Sequence, residues 1–164
     1  MAKASGKADN TKKVIDLLNA ARARELAAIL QYMVQHYELE NDDYGKLAKV
    51  LKATAIAEMK HAEALAERIL FLGGSPTSKP DVEVKKNQKV AEKIATDIAL
   101  EEQAIAMYND SALACAEARD HVSKDIFEKL LNDENAHLDA FINIKDHIAQ
   151  LGDQYLATLT GVGE

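Results

Sequence analysis

Cysteine is almost missing from this chain: Cys115 is the only one in 164 residues. A lone cysteine excludes an internal disulfide and any Cys-x-x-Cys metal or redox site, so a metal bound here takes oxygen and nitrogen ligands. Cys115 itself reads as a small residue on a helix. Tryptophan is absent, aromatics make up 5% of the chain, and there are two prolines and seven glycines, which leaves little for a fold of strands and tight turns. Ala, Leu, Ile, Glu and Lys are abundant instead. Most of these lose little rotamer freedom in a helix, and an all-α fold is expected. No apolar run approaches the roughly 20 residues that cross a bilayer, and the segment Met1 to Lys7 has no apolar signal-peptide region. A cytoplasmic protein with no membrane partner is therefore expected. The formal charge of −7 argues against nonspecific nucleic-acid binding and suits a protein that attracts cations. Lys3, Lys7, Lys12 and Lys13 read as a solvated basic tail in preference to a DNA-binding one.

Helical periodicity organises the rest as one domain, residues 1–164, with residues 1–10 a flexible tail. From Thr11, a possible N-cap, to about Glu40, the residues Val14, Leu17, Leu18, Ala21, Ala28, Tyr32 and Leu39 fall mostly on one helical face. The slot four after Ala21 and three before Ala28 is filled by Glu25, which puts a carboxylate in a core position. Turn residues Asn41 to Gly45 lead into a second helix ending near Leu72, and so short a link makes the two antiparallel neighbours. The stretch from Gly73 through Pro76 and Pro80 is a poor helix, and a crossover over 73–85 is expected before the pattern resumes near Lys86. A third helix reaches about Ala118, a break at Asp120 to Ser123 opens a fourth ending near Gln150, and Tyr155 to Leu159 could form a small fifth.

Two of the five histidines have a glutamate three residues earlier: Glu58-Met59-Lys60-His61 and Glu134-Asn135-Ala136-His137. Chance would give about 0.4 such pairs, and residues at i and i+3 share a helix face, so each pair can offer a carboxylate and an imidazole to one ion. A second regularity reinforces the first. Glu25 lies 33 residues before Glu58, and Glu101 lies 33 before Glu134, so the two halves repeat at an offset of 76 that also carries Tyr32 onto Tyr108. Four carboxylates turned inward beside Leu18, Ala21, Ala28, Ile94, Ile98 and Ile105 would repel one another and tend to protonate. Two divalent cations remove that conflict. Two Fe²⁺ match the four charges of Glu25, Glu58, Glu101 and Glu134, with His61 and His137 giving each ion a nitrogen ligand and coordination positions left for O₂ or peroxide. Mn²⁺ or Zn²⁺ suits the same donors. Glu63, Glu67, Glu92, Glu102 and Glu128 read as solvated. Tyr32 and Tyr108 read equally well as core aromatics or as companions of the site.

The blocks Ala23-Arg24-Glu25-Leu26, Glu58-Met59-Lys60-His61-Ala62-Glu63, Asp97-Ile98-Ala99-Leu100-Glu101 and Asp133-Glu134-Asn135-Ala136-His137 resemble the bacterioferritins, from Val14 to about Leu159. That resemblance implies a ferritin-like four-helix bundle with one long crossover and a short C-terminal fifth helix, the architecture that places a Glu on each of two helices and a Glu-x-x-His on the other two. It also implies a di-iron ferroxidase centre at the six residues, with Tyr32 as an aromatic beside it, oxidation of Fe²⁺ by O₂ or H₂O₂, and storage of Fe³⁺ in a hollow shell of 24 subunits built from two-fold dimers. Met59, about 100° around the helix from Glu58, corresponds to the family's axial ligand of a haem b shared across the dimer. Leu26, Ile29, Leu30 and Met33 form a second apolar stripe that suits a dimer contact or haem pocket. A ferredoxin-type reductant would release the iron. The chain departs from some relatives in having Ala53 and Ala57 where they carry inner-face iron ligands, and Leu65 and Ala140 where they carry aromatics. A rubrerythrin-like di-iron peroxidase without storage is the alternative, although no Cys-x-x-Cys marks the rubredoxin domain of a typical rubrerythrin; a metal-free helical scaffold is the third reading.

Overall fold

The computed structural model describes the backbone of residues 2–161 and the side chains of residues 9–161. Five helices follow in order: α1 Ala2–Asn41, α2 Gly45–Phe71, α3 Val90–Glu117, α4 His121–Leu151 and the short α5 Asp153–Thr158. The first four form a bundle of two hairpins, α1 with α2 and α3 with α4, and α1 also packs against α3. No strand occurs among the described residues.

Two boundaries differ from the sequence reading. The first helix starts at Ala2 instead of at a Thr11 cap, because Ala and Lys dominate residues 2–8 and no proline interrupts them. The side chains of Lys3 and Lys7 lie outside the described residues. The third helix starts at Val90 instead of near Lys86. Asn87 is left-handed at φ 57°, and the Glu92 carboxylate accepts from the Lys89 backbone N–H at 2.9 Å, which fixes the start of the helix there.

Local chemistry closes the other turns. Asp43, at φ 65°, reverses the chain between α1 and α2 while the Tyr44 N–H donates to the Leu39 carbonyl at 2.8 Å. Gly73, at φ 82°, ends α2 in the left-handed cap conformation that glycine adopts at least cost. Asp120 caps α4 by accepting from the Ser123 N–H at 3.0 Å, and Arg68 Nη2 reaches the same carboxylate at 2.7 Å, tying the end of α2 to the start of α4.

Residues 72–89 are not helical, and this crossover is fastened along α1. Asn19 Oδ1 accepts from the Thr77 N–H at 2.7 Å, and Arg24 Nη2 meets Asp81 at 2.8 Å. Gln31 donates to the Lys85 carbonyl at 2.9 Å and accepts from its N–H at 2.8 Å, and Glu38 accepts from the Asn87 N–H at 2.9 Å. The backbone groups of a long loop thus find partners on one helix face. At the other end of the chain, the Gly161 N–H bonds to the Asp43 carbonyl, which holds the segment after α5 against the first turn.

The apolar core falls into two clusters. Val14, Leu18, Ala21, Leu65, Ile69, Tyr108, Cys115, Phe127 and Leu130 fill one, and Ala28, Tyr32, Leu39, Leu47, Leu51, Ile94, Ile98 and Phe141 fill the other. Along α1 and α4 the break between them falls at Glu25 and Glu134, both buried. Polar residues therefore occupy the middle of the bundle.

Candidate metal centre

Each of the four long helices brings one carboxylate to the midpoint: Glu25 from α1, Glu58 from α2, Glu101 from α3 and Glu134 from α4, none more than 3% exposed. His61 and His137 follow their glutamates by one turn and turn inward with them. Ligand atoms of Glu25, Glu58, His61 and Glu134 lie within 4.8 Å of one another, and so do those of Glu58, Glu101, Glu134 and His137. Glu58 and Glu134 belong to both sets. The geometry is that of two adjacent ion positions with two shared carboxylates and one private Glu–His pair each.

Burial without partners is what points to an ion. His61 Nδ1 is 2.7 Å from Glu58 Oε2 and 3.3 Å from Glu134 Oε1, yet neither approach has hydrogen-bond direction. Both oxygens of Glu58, Glu134 Oε1 and His61 Nδ1 are buried without a hydrogen bond. Leaving such groups unpaired is costly, and a cation that takes several lone pairs at once relieves the cost. Both shared glutamates and one histidine thus have the donor character a divalent ion requires, so the residues fit a two-metal site.

Charge tells the same story. Burial lifts the Glu25 carboxyl well above its usual range, with the charges of Glu58 and Glu134 adding to it, and burial followed by the same two neighbours does so at Glu101. Burial alone would lower the histidines, but the surrounding carboxylates win: His137 rises to about 10 through Glu134 and Glu58, and His61 rises further through Glu134, Glu25 and Glu58. Glu134, which burial would raise, is instead held near 2 by His137 and His61. Without metal the centre is a set of imidazolium–carboxylate pairs between two protonated acids.

The tyrosines cross between the halves. Tyr32 donates to Glu101 Oε1 at 2.5 Å and Tyr108 donates to Glu25 Oε1, both as fully buried phenols. Phe141 and Phe127 back them, with ring centroids 5.7 and 5.8 Å away. Asp133 lies 3.2 Å from His61 Nε2, a contact with no counterpart in the repeat, because the corresponding residue before Glu58 is Ala57. His61 is accordingly the more enclosed ring, its side chain 8% exposed against 17% for His137. Glu63, Glu67, Glu92, Glu102 and Glu128 are exposed, as is Ala53, while Ala57 is half-buried and Leu65 buried. Met59 is 55% exposed on the outer side of α2.

A Ferritin-like domain family model matches residues 15–151. The bacterioferritin of Desulfovibrio desulfuricans is 45% identical over 158 residues, covering 96% of this chain and 88% of that protein. That of Rhodobacter capsulatus is 39% identical over 148 residues, covering 90% and 91%. The chain belongs to the bacterioferritin family. Among solved structures, the D. desulfuricans bacterioferritin, described with a diiron site in different catalytic states, superposes with a TM-score of 0.94 at 43% identity, over 96% of this chain and 93% of that one. The R. capsulatus bacterioferritin, described with a metal-free dinuclear site and a heme iron in a crystallographic special position, gives 0.87 at 38% identity, over 92% and 94%. The 76-residue repeat leaves Tyr32 and Tyr108 as core aromatics or companions of the site, and contains no signal for the bonds to Glu101 and Glu25 that the bundle imposes. The Asp133 contact also escapes the sequence, since Asp133 is simply one more acidic residue on an acidic chain.

Proposed function

We propose that this bacterioferritin is an iron-storage and detoxification subunit that oxidises Fe²⁺ with O₂ or H₂O₂ at Glu25, Glu58, His61, Glu101, Glu134 and His137, and passes Fe³⁺ into a hollow oligomer. The observation that carries the reading is the sharing of Glu58 and Glu134 between two ligand sets, with both oxygens of Glu58, Glu134 Oε1 and His61 Nδ1 buried without a hydrogen bond. Glu58 and Glu134 would serve both positions, with Glu25 and His61 completing one and Glu101 and His137 the other. Tyr108 and Tyr32 each hold Oε1 of Glu25 and Glu101, the oxygen that also lies 3.8 Å from His61 Nδ1 and 3.9 Å from His137 Nδ1, and so fix each carboxylate beside its imidazole. Asp133 orients His61 through Nε2 and leaves Nδ1 as the ligand atom. Bound Fe²⁺ supplies the electrons that reduce the oxidant. Stopped-flow oxidation of Fe²⁺ tests the assignment: Glu58→Ala and His137→Ala are expected to abolish the rapid phase, and unchanged rates would sink it.

Storage is supported by family membership, and the alternative of a rubrerythrin-like peroxidase gains from Ala53 and Ala57, which offer no inner-face ligand oxygen. Size-exclusion after iron loading separates the two. A large shell of about 24 subunits with an iron core is expected, whereas a small iron-poor oligomer favours the peroxidase. Met59, exposed beside Ile56 on α2 and accompanied on α1 by exposed Leu30 and half-buried Leu26, Ile29 and Met33, would offer its thioether to a haem b held between two copies. A Soret band lost in Met59→Ala is expected. The reductant that mobilises stored iron would be of ferredoxin type.

A further inference from the structure

The 76-residue repeat makes the two ion positions directly comparable, and they differ just outside the ligands. Asp133 corresponds to Ala57, each standing one residue before a glutamate that both positions share. Asp133 Oδ2 accepts a hydrogen bond from His61 Nε2 at 3.2 Å. A carboxylate can only accept here, so Nε2 carries the proton and Nδ1 is turned to the centre. Ala57 offers His137 no such acceptor. The two rings otherwise match, stacked with centroids 6.1 Å apart.

The ligand atoms themselves are unequally engaged. Around His61, three of them are buried without a hydrogen bond: Nδ1 itself, Glu58 Oε2 at 2.7 Å and Glu134 Oε1 at 3.3 Å. Around His137, Nδ1 already donates to Glu134 Oε2 at 3.2 Å, and Glu58 Oε1 at 2.9 Å is the atom left unpartnered. An ion arriving beside His61 meets ligand atoms with no bond to give up and a ring already aimed. One arriving beside His137 must displace the bond to Glu134 and fix a ring that Ala57 does not hold. Glu25 and Glu101 do not offset the difference, since both are buried and each takes one tyrosine hydrogen bond.

We propose that Asp133 is a positioning residue that makes the two positions unequal: the Glu25–His61 position fills first and retains its ion, and the Glu101–His137 position fills second and exchanges. Partners that hold the outer nitrogen of a ligating histidine are worth roughly 10- to 100-fold in metal affinity, and this chain supplies one on a single side. The exchanging side is also the more open, with the His137 side chain 17% exposed against 8% for His61. Iron beside His61 would then stay through successive turnovers, while iron beside His137 is the substrate that moves on to storage. Asp133 touches neither ion. Its side chain is 63% exposed, so it acts on the direction of the His61 ring and adds little to the stability of the fold. Repulsion between two divalent ions also separates two binding steps, yet it favours neither position. Location is therefore the signature, and stepwise binding alone is not.

The inference rests on the ferroxidase reading, and the full-length assembly stripped of metal tests the two apart. Crystals given one equivalent of Co²⁺ per subunit are expected to show its anomalous signal at the Glu25–His61 position. Signal shared equally, or lying beside His137, overturns the asymmetry and leaves the ferroxidase reading standing; a wild type that binds no Co²⁺ and oxidises no Fe²⁺ overturns both. With both positions filled by Co²⁺ and excess Zn²⁺ then added, half of the Co²⁺ absorption is expected to decay about tenfold or more faster than the other half. Asp133→Ala is expected to bring the slow half to within about threefold of the fast one and to leave the fast half unchanged. Asp133→Asn keeps an acceptor oxygen for His61 Nε2 and is expected to retain two phases. A single phase in the wild type, unchanged phases in Asp133→Ala, or loss of the slow phase in Asp133→Asn overturns the positioning role.

Discussion

Tyr32 and Tyr108 each spend a buried hydroxyl on a carboxylate from the opposite hairpin, so the phenols both orient the centre and staple the halves together. Replacing either with Phe keeps the ring packed against Phe141 or Phe127 and deletes only the donor. Tyr32→Phe and Tyr108→Phe are each expected to destabilise the metal-free protein by ~1–3 kcal/mol, the cost of leaving a buried acceptor unmatched, as read by urea unfolding. Equal urea midpoints would show that neither hydroxyl holds its carboxylate. The six clustered residues were legible in the sequence because Glu25 breaks an apolar stripe and the 33- and 76-residue offsets recur. The Asp133–His61 contact and the burial of Gln35 and Asp97 were not. They depend on which helix faces which across the bundle, and their residues carry no spacing that separates them from solvated ones.

Among the elements, the crossover is the one whose order is least expected from composition, with two prolines and no helix of its own over residues 72–89. Gln31 explains part of it: its side-chain amide completes a two-bond pair with Lys85, as a neighbouring strand would. Gln31→Ala removes both bonds, worth ~1–2 kcal/mol locally, so hydrogen exchange at the Lys85 amide is expected to quicken about tenfold while the helix amides of α2 and α4 stay protected. Uniform exchange across both proteins would mean that the loop is held elsewhere. Helix number, the two hairpins and the crossover could all be read from periodicity and turn residues. The starts of α1 and α3 could not. Thr11 resembles a cap but lies inside a run of good helix formers, and the true start of α3 depends on Asn87 bonding to Glu38 across the loop.

At the scale of the whole molecule, the paired charges of the centre make the stability of the metal-free protein fall with rising pH while metal binding strengthens. In the metal-free protein His137 titrates near 10 instead of 6.5, so its contribution is complete below about 6.5 and is lost as pH climbs through about 10; His61 is shifted in the same direction. Glu134, held near 2 instead of 4.5, contributes fully above 4.5 and loses that contribution only as pH falls through about 2. Glu25, Glu101 and Asp97 are lifted by burial, so the folded protein binds their protons more tightly than the unfolded chain, and each costs stability as pH rises past its ordinary value. Above roughly pH 5 the metal-free fold therefore holds more protons than the unfolded chain, and its stability declines with rising pH. Two divalent ions displace the protons of both imidazoliums and of Glu25 and Glu101, about four per subunit, so their affinity rises with pH over the same interval. Urea midpoints at fixed protein concentration are thus expected to fall between about pH 5.5 and 8.5 for metal-free protein, and the gap to Zn²⁺-saturated protein to widen steadily, since tighter binding adds stability in proportion to the logarithm of the metal excess. A gap independent of pH would mean that the histidines are already neutral before metal arrives, and that the carboxylates around them are held by something other than imidazolium.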